Sequence, residues 1–234
     1  QAEAAGGRND GKWRGEMSEA EVKGAKEEEL AGFLRRNESA GEIQTANNKR
    51  AVIMTGSLWK ALAESLEERL GGDFDEALFA AGQTWGAGAF AEFAEKVSAD
   101  QKTLYHTRNM GLNHFKQEFN NYLIRHGWGR FDIYEKQEII FVDLFSSAYP
   151  EMLGRHDAMT CSLMAGFFSG FFSDLTGVDL SCIELRCVAA GAEKCTFVVS
   201  DSALTSSVRK WLSKGKTFDE IVAAIGEREY QGKK

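Results

Sequence analysis

The hydrophobic period of this chain changes near Gly127, and that change sets its fold class. Before it, apolar residues recur at helical spacing. In residues 57–72, Leu58, Leu62, Leu66 and Leu70 return at every fourth position and make one apolar stripe. Ser57 is placed to cap this helix and Gly71-Gly72 to stop it. Residues 74–97 predict a second helix, with Phe74, Leu78, Ala81, Trp85 and Phe93 as core contacts. Residues 101–125 predict a third, marked by Leu104, Phe115, Phe119 and Tyr122. After Gly127 the apolar runs FDIY and IIFVDLF flank a polar EKQE turn, so 127–148 is expected to be a β-hairpin.

Residues 160–177 return to helix, ended by Gly177. Phe167, Phe168, Phe171 and Phe172 spread too far round it for one face. The helix is therefore buried on more than one side, or lines a pocket or a partner interface. Residues 180–188 predict a strand, AAGAEK a turn, and 195–200 its hairpin partner. Residues 206–227 predict a helical hairpin, with Thr217 as an N-cap and Asp219 and Glu220 in the first turn. The order ααα-ββ-α-ββ-αα is that of an α+β domain, a helical layer packed on a small antiparallel sheet. Residues 1–50 read as a polar extension, with a short helix over 26–36 and a linker over 37–49. The folded domain is expected at 51–200, followed by the helical hairpin at 201–234. Gly82-x-x-x-Gly86 and Gly166-x-x-x-Gly170 place small residues one helical turn apart, which allows close approach of a second backbone or of a ligand.

The net charge of −7 argues against non-specific nucleic-acid binding, which needs a basic face. No apolar run is long enough for a transmembrane helix, and the first residues lack a signal-peptide core, so a cytoplasmic location is expected. The four cysteines are too few and too unevenly spaced for a disulfide framework. They serve instead as buried small residues, metal ligands or reactive thiols. Cys182, Glu184, Cys187 and Cys195 crowd one stretch, and thiolates with a carboxylate form a zinc-type donor set.

Several of these elements resemble the 4-vinyl-reductase (4VR) domain family. They are the Cys161 helix start, AGFFSGFFSDLTG, the glutamate of SCIELRC, and GAEKCTFVV; AGQTWGAGAFAEFAEK and GWGRFDIYE are also similar. The resemblance covers about residues 51–200. The family includes a protein of bacteriochlorophyll synthesis and the sensor domains of regulators that detect phenols. In the aromatic-sensing members three cysteines and a glutamate hold a structural zinc. Carried over, the ligands are Cys161, Glu184, Cys187 and Cys195, tying the helix start to the last hairpin. In a regular strand, however, Cys182 and Glu184 share a face while Cys187 points to the other. The strand must end or bulge between Glu184 and Cys187, or else Cys182 replaces Glu184.

The resemblance also implies an apolar cavity between the helical layer and the sheet. Its wall would use Trp85, Phe90, Phe115, Phe119, Phe141, Phe168 and Phe172, with His114, or else His106, as a polar contact. The tryptophan that helps grip phenol in the sensors has no counterpart near Phe141–Phe145. Three functions follow as expectations. One is a sensor or carrier domain for a hydrophobic planar ligand, including a tetrapyrrole intermediate. The second is an enzyme or accessory in vinyl reduction of a chlorophyll precursor. The third is a dimeric adaptor with an acyl channel, as in subunits of vesicle-tethering complexes. The second is weakened because there is no GxGxxG fingerprint and no compact acid–base constellation. No GxxxxGK[ST] loop and no basic recognition helix is present, so the chain is not a whole transcription activator. A homodimer is expected in each case.

Overall fold

The computed structural model describes residues 33–45, 48–101, 110–136, 139–154 and 159–232. The chain divides into two compact units, Gln1–Ile53 and Met54–Lys234.

The described part of the first unit is a three-stranded antiparallel sheet, β1 (Leu34–Asn37), β2 (Glu42–Thr45) and β3 (Arg50–Ala51), in the order β1-β2-β3. This corrects the expected helix at its C-terminal end and the expected linker over 37–49. The reason is turn chemistry. Asn37 Oδ1 accepts from Ser39 Oγ at 2.8 Å and from Ala40 N at 3.2 Å, and Gly41 takes a positive φ of 63°. That closes a tight reversal which turns the flanking residues into paired strands. Residues 26–32 of the expected helix lie outside the described residues.

The second unit carries seven helices among the described residues: α1 (Gly56–Leu70), α2 (Phe74–Gln101), α3 (Leu112–Arg125), α4 (Ala148–Leu153), α5 (Ser162–Thr176), α6 (Ser202–Ser213) and α7 (Phe218–Gly232). Its strands are β4 (Arg130–Lys136), β5 (Ile139–Phe145), β6 (Ser181–Arg186) and β7 (Cys195–Ser200). They form one antiparallel sheet in the order β4-β5-β7-β6, so β6 is an edge. No helix among the described residues is long and apolar enough to cross a membrane.

The unit has three layers rather than the two expected. On one face of the sheet, α2, α3 and α5 bury Phe93, Phe119, Phe168 and Phe171 against Phe131, Val142, Leu144 and Phe197. On the other face, Leu204, Val208, Ile221 and Ile225 of α6 and α7 cover Phe141, Leu185 and Val198. Thr217 caps α7 as expected. Its Oγ1 accepts from Glu220 N at 3.4 Å, and Glu220 Oε2 accepts from Thr217 N at 2.7 Å, a reciprocal capping box.

The two glycine pairs meet each other inside the chain. A Cβ at Gly82 would strike the Leu163 carbonyl oxygen, and one at Gly86 that of Phe167. In return, Gly166 faces the Phe79 carbonyl and Gly170 that of Gln83. α2 and α5 thus pack backbone against backbone, and α5 is buried all round from Leu163 to Phe172, apart from Gly170. Gln83 Nε2 donates to Ser169 Oγ at 3.1 Å across this seam.

Two details differ from expectation. The cap of α1 is Thr55, whose side chain accepts from Leu58 N, and not Ser57. Ala81 is exposed rather than core, because Phe74, Leu78 and Phe93 set the inward face of α2.

Candidate metal centre

Cys161 immediately precedes α5, Glu184 lies on β6, Cys187 follows β6, and Cys195 opens β7. All four are buried, and one ligand atom from each lies within 4.8 Å of the others. The sulfur–sulfur separations are 3.6 Å for Cys161–Cys195 and 3.9 Å for both Cys161–Cys187 and Cys187–Cys195. Thiolates ~2.3 Å from a tetrahedral zinc stand about 3.8 Å apart, so the spacing suits a four-coordinate ion. It is too long for a disulfide bond, and all four cysteines are free.

A bulge solves the problem of strand alternation. The β6–β7 register runs Glu184↔Phe197 and then Arg186↔Thr196, so Leu185 is an extra residue on the edge strand. Leu185 joins the cluster under α6 and α7, while Arg186 stacks on the Phe218 ring of α7 at 3.6 Å. Both residues therefore serve the outer face, and Glu184 and Cys187 return together to the inner one. Cys182 is buried against the inner core but stands outside the four-group cluster.

Local hydrogen bonds orient the donors. Glu184 Oε2 accepts from Cys161 N at 3.2 Å, and Cys195 Sγ accepts from Val188 N at 3.4 Å. The Cys187 carbonyl takes the N–H groups of Ala190 and Ala192 at 3.0 and 3.1 Å, which folds the chain tightly after the ligand. Before Cys195, Lys194 pairs with the buried Asp143 at 2.6 Å, and Thr196 Oγ1 donates to Asp143 at 2.8 Å. The other oxygen of Glu184, Oε1, is buried with no hydrogen-bond partner. A buried carboxylate oxygen costs free energy unless it is paired or coordinates a metal.

The electrostatics agree. Burial first, then the neighbouring Cys187, pushes the Glu184 carboxyl up to about 8. Hydrogen bonding with Cys187 and Cys195 pushes the Cys161 thiol far up, and hydrogen bonds with Cys161 and Cys195 pull Cys187 far down. Four such groups cannot all carry negative charge at this distance unless a cation compensates them. A cleft of about 730 Å³ beside Glu184, lined also by Asp75, Glu76, Ser162, Cys182 and Arg209, provides an entry path.

Of the residues expected to line a ligand cavity, Phe115, Phe119, Phe168 and Phe172 come together in the inner layer. Phe119 lies 4.6 Å from Phe171, 5.4 Å from Phe115 and 6.0 Å from Phe172, centroid to centroid. Trp85 and Phe90 sit at the margin, Trp85 4.3 Å from Phe167 and 4.8 Å from Trp128, and Phe90 5.5 Å from Phe171. Phe93, Trp128 and Phe171 belong to this cluster too, though the sequence reading did not place them there. Phe171 was accessible to it, since Phe167, Phe171 and Phe168, Phe172 are i, i+4 pairs on α5. Two expected residues lie elsewhere. Phe141 faces the opposite layer, stacked on Tyr134 at 5.4 Å. His114 is exposed on α3, with Nε2 4.0 Å from Glu118 Oε1. His106 lies outside the described residues.

Comparison with known proteins agrees with this geometry. Residues 140–201 match the model of the vinyl-4-reductase (4VR) domain, and the stretch holds all four ligand groups. The phenol-responsive sensory domain of the transcription activator PoxR, solved with phenol, superposes with a TM-score of 0.56 at 18% identity. The match covers 74% of this chain and 87% of that one, and is a likeness of fold. A vinyl-4-reductase family protein from Methanocaldococcus jannaschii gives a TM-score of 0.43 at 14% identity, over 64% and 83% of the two chains. Subunit 3 of a trafficking protein particle complex from Naegleria fowleri, covalently bound to palmitic acid, gives 0.43 at 10% identity, over 62% and 93%. No curated protein matches the chain. The chain carries a 4VR domain, the family its sequence elements resemble.

Proposed function

We propose that the unit from Met54 onward is a small-molecule-sensing domain whose last strand pair is fastened by a structural zinc. The observation that carries this reading is the closed set of Cys161, Glu184, Cys187 and Cys195 within the 4VR match. Three thiolates and a carboxylate leave no open position, so the ion's role is cross-linking and not catalysis. A bound zinc would supply the positive charge that the four buried donors need, and its binding free energy would add to folding.

The ligand we propose is a compact aromatic molecule, seated among Phe93, Phe115, Phe119, Phe171 and Phe172. Its class follows from the likeness of fold to the PoxR domain, which was solved with phenol. Size favours one ring over a tetrapyrrole. The rings of this layer lie within about 6.4 Å of their neighbours, so a single ring enters by small side-chain shifts. A macrocycle would have to displace several of them. Trp85 and Trp128 at the margin report on the layer.

Tryptophan fluorescence and calorimetric titration with phenol, catechol and protoporphyrin test this. Saturable quenching by a single-ring compound, absent in Phe119→Leu and retained in Phe141→Leu, is the expected result. Binding of the porphyrin alone would move the reading to tetrapyrroles. No binding by any of the three contradicts a sensing role for this layer.

A further inference from the structure

The leucine stripe of α1 is not core. Leu58, Leu62, Leu66 and Leu70 are 50%, 44%, 43% and 38% exposed. α1 buries one residue, Ala63, and rests on α4 through Trp59, whose ring lies 5.8 Å from Tyr149. A 15-residue helix is marginal in water unless a face of it is packed. Here most of the apolar face is left open.

The open surface has a particular shape. Residues four apart form a continuous ridge on a helix, drifting about 40° per step. The leucines make one such ridge. The next row on the same surface is Ser57, Ala61 and Ser65, also four apart and, from Ala61 on, exposed like the leucines. Its side chains are small, so it forms a groove alongside the ridge. A ridge beside a groove of equal pitch is self-complementary. Two such helices interlock, ridge into groove in both directions, at a crossing angle of about −50°. A strict coiled-coil seam needs apolar residues spaced alternately three and four apart, and this stripe does not have that spacing.

We infer that α1 is the two-fold interface through which two copies of this chain associate, the leucine ridge of each lying in the Ser57–Ala61–Ser65 groove of the other. The occupant is a second copy because both halves of the fit lie on one helix, as an isologous contact requires. A different partner would need only the ridge. The patch is large enough. The leucines leave on the order of 400 Å² open, the patch size that marks an interaction site. With the flanking groove, the helix approaches the roughly 800 Å² per partner of a standard interface. The glycine-spaced helices α2 and α5 cannot provide this contact, since their glycines face each other within the chain.

Light scattering of the full chain at tens of micromolar, after size exclusion, tests the interface. The expected mass is twice the 25.9 kDa of one chain. Two variants attack the two halves of the fit. Leu62→Glu with Leu66→Glu charges the ridge, and Ala61→Leu fills the groove without adding charge or lowering helix propensity. Each should weaken the dimer at least tenfold, with unchanged far-ultraviolet circular dichroism. If the charged variant fails to fold, Ala61→Leu decides alone. A single-chain mass for the unmodified protein, or a dimer whose mass Ala61→Leu leaves intact, overturns the inference.

Discussion

The backbone N–H of Cys161 donates to Glu184 Oε2 at 3.2 Å, across 23 residues of chain. That bond joins the start of α5 to the edge strand β6 and leaves the second oxygen, Oε1, buried without a partner. It also aims the helix N-terminus, the positive end of its dipole, at the sulfur cluster, where negative charge is wanted. The carboxylate is therefore bound to the helix on one side and open to an ion on the other.

Removing one thiol should remove the metal. Cys187→Ser is expected to lose zinc and to melt well below the unmodified protein, since the binding free energy is also folding free energy. Cys182→Ser should keep both zinc and stability within about 1 kcal/mol, because Cys182 stands outside the cluster. Glu184→Gln should weaken zinc by more than the roughly 10–100-fold typical of an outer-shell change. Competition with a chromogenic chelator measures all three. Equal zinc affinity in Cys182→Ser and Cys187→Ser variants would show that the ligand set is wrong.

Glycines on α2 should separate by position. At Gly86 a new Cβ strikes the Phe167 carbonyl of α5, so Gly86→Ala should cost roughly 3 kcal/mol or more. Gly88 meets nothing within 4 Å, so Gly88→Ala, two residues on, should stabilise by about 0.5–1 kcal/mol. Urea denaturation reads both. Similar effects at the two positions would mean that the α2–α5 seam is looser than described.

The capping box of α7 should be sensitive to acid. Hydrogen bonds from the Thr217 backbone and side chain hold the exposed Glu220 carboxyl below its ordinary value. A carboxylate depressed in the folded state adds stability above its unfolded pKa and loses it as pH falls through the folded one. The cap should therefore weaken only below the ordinary glutamate range. A carboxyl-carbon NMR titration, assigned with Glu220→Gln, should place its midpoint below those of other exposed glutamates. A midpoint among theirs would remove the cap from the account.

Periodicity made most of the second unit legible. FDIY, IIFVDLF and CTFVVS fall on strands β4, β5 and β7, and Thr217 caps the helix it was expected to cap. Three features were hidden for physical reasons. The bulge at Leu185 has no local turn signal; it follows from what each strand face must meet. Phe141 sits on a strand buried on both faces, so no polar side broke the tie between them, and the covering by α6 and α7 decided it. His114 precedes Phe115, and Phe115, Phe119 and Tyr122 define the inward face of α3. One residue back is about 100° round the helix, which turns His114 toward solvent. The α1 leucines show the converse. A clean apolar stripe identifies a face that wants cover, but not what covers it.

The most direct test of the account is native mass spectrometry of the full chain beside its denatured spectrum, with elemental analysis for zinc. The account predicts one zinc per chain, lost on denaturation and absent from Cys187→Ser. Protein that carries no metal when purified without chelator, and takes none up from excess zinc, would contradict it.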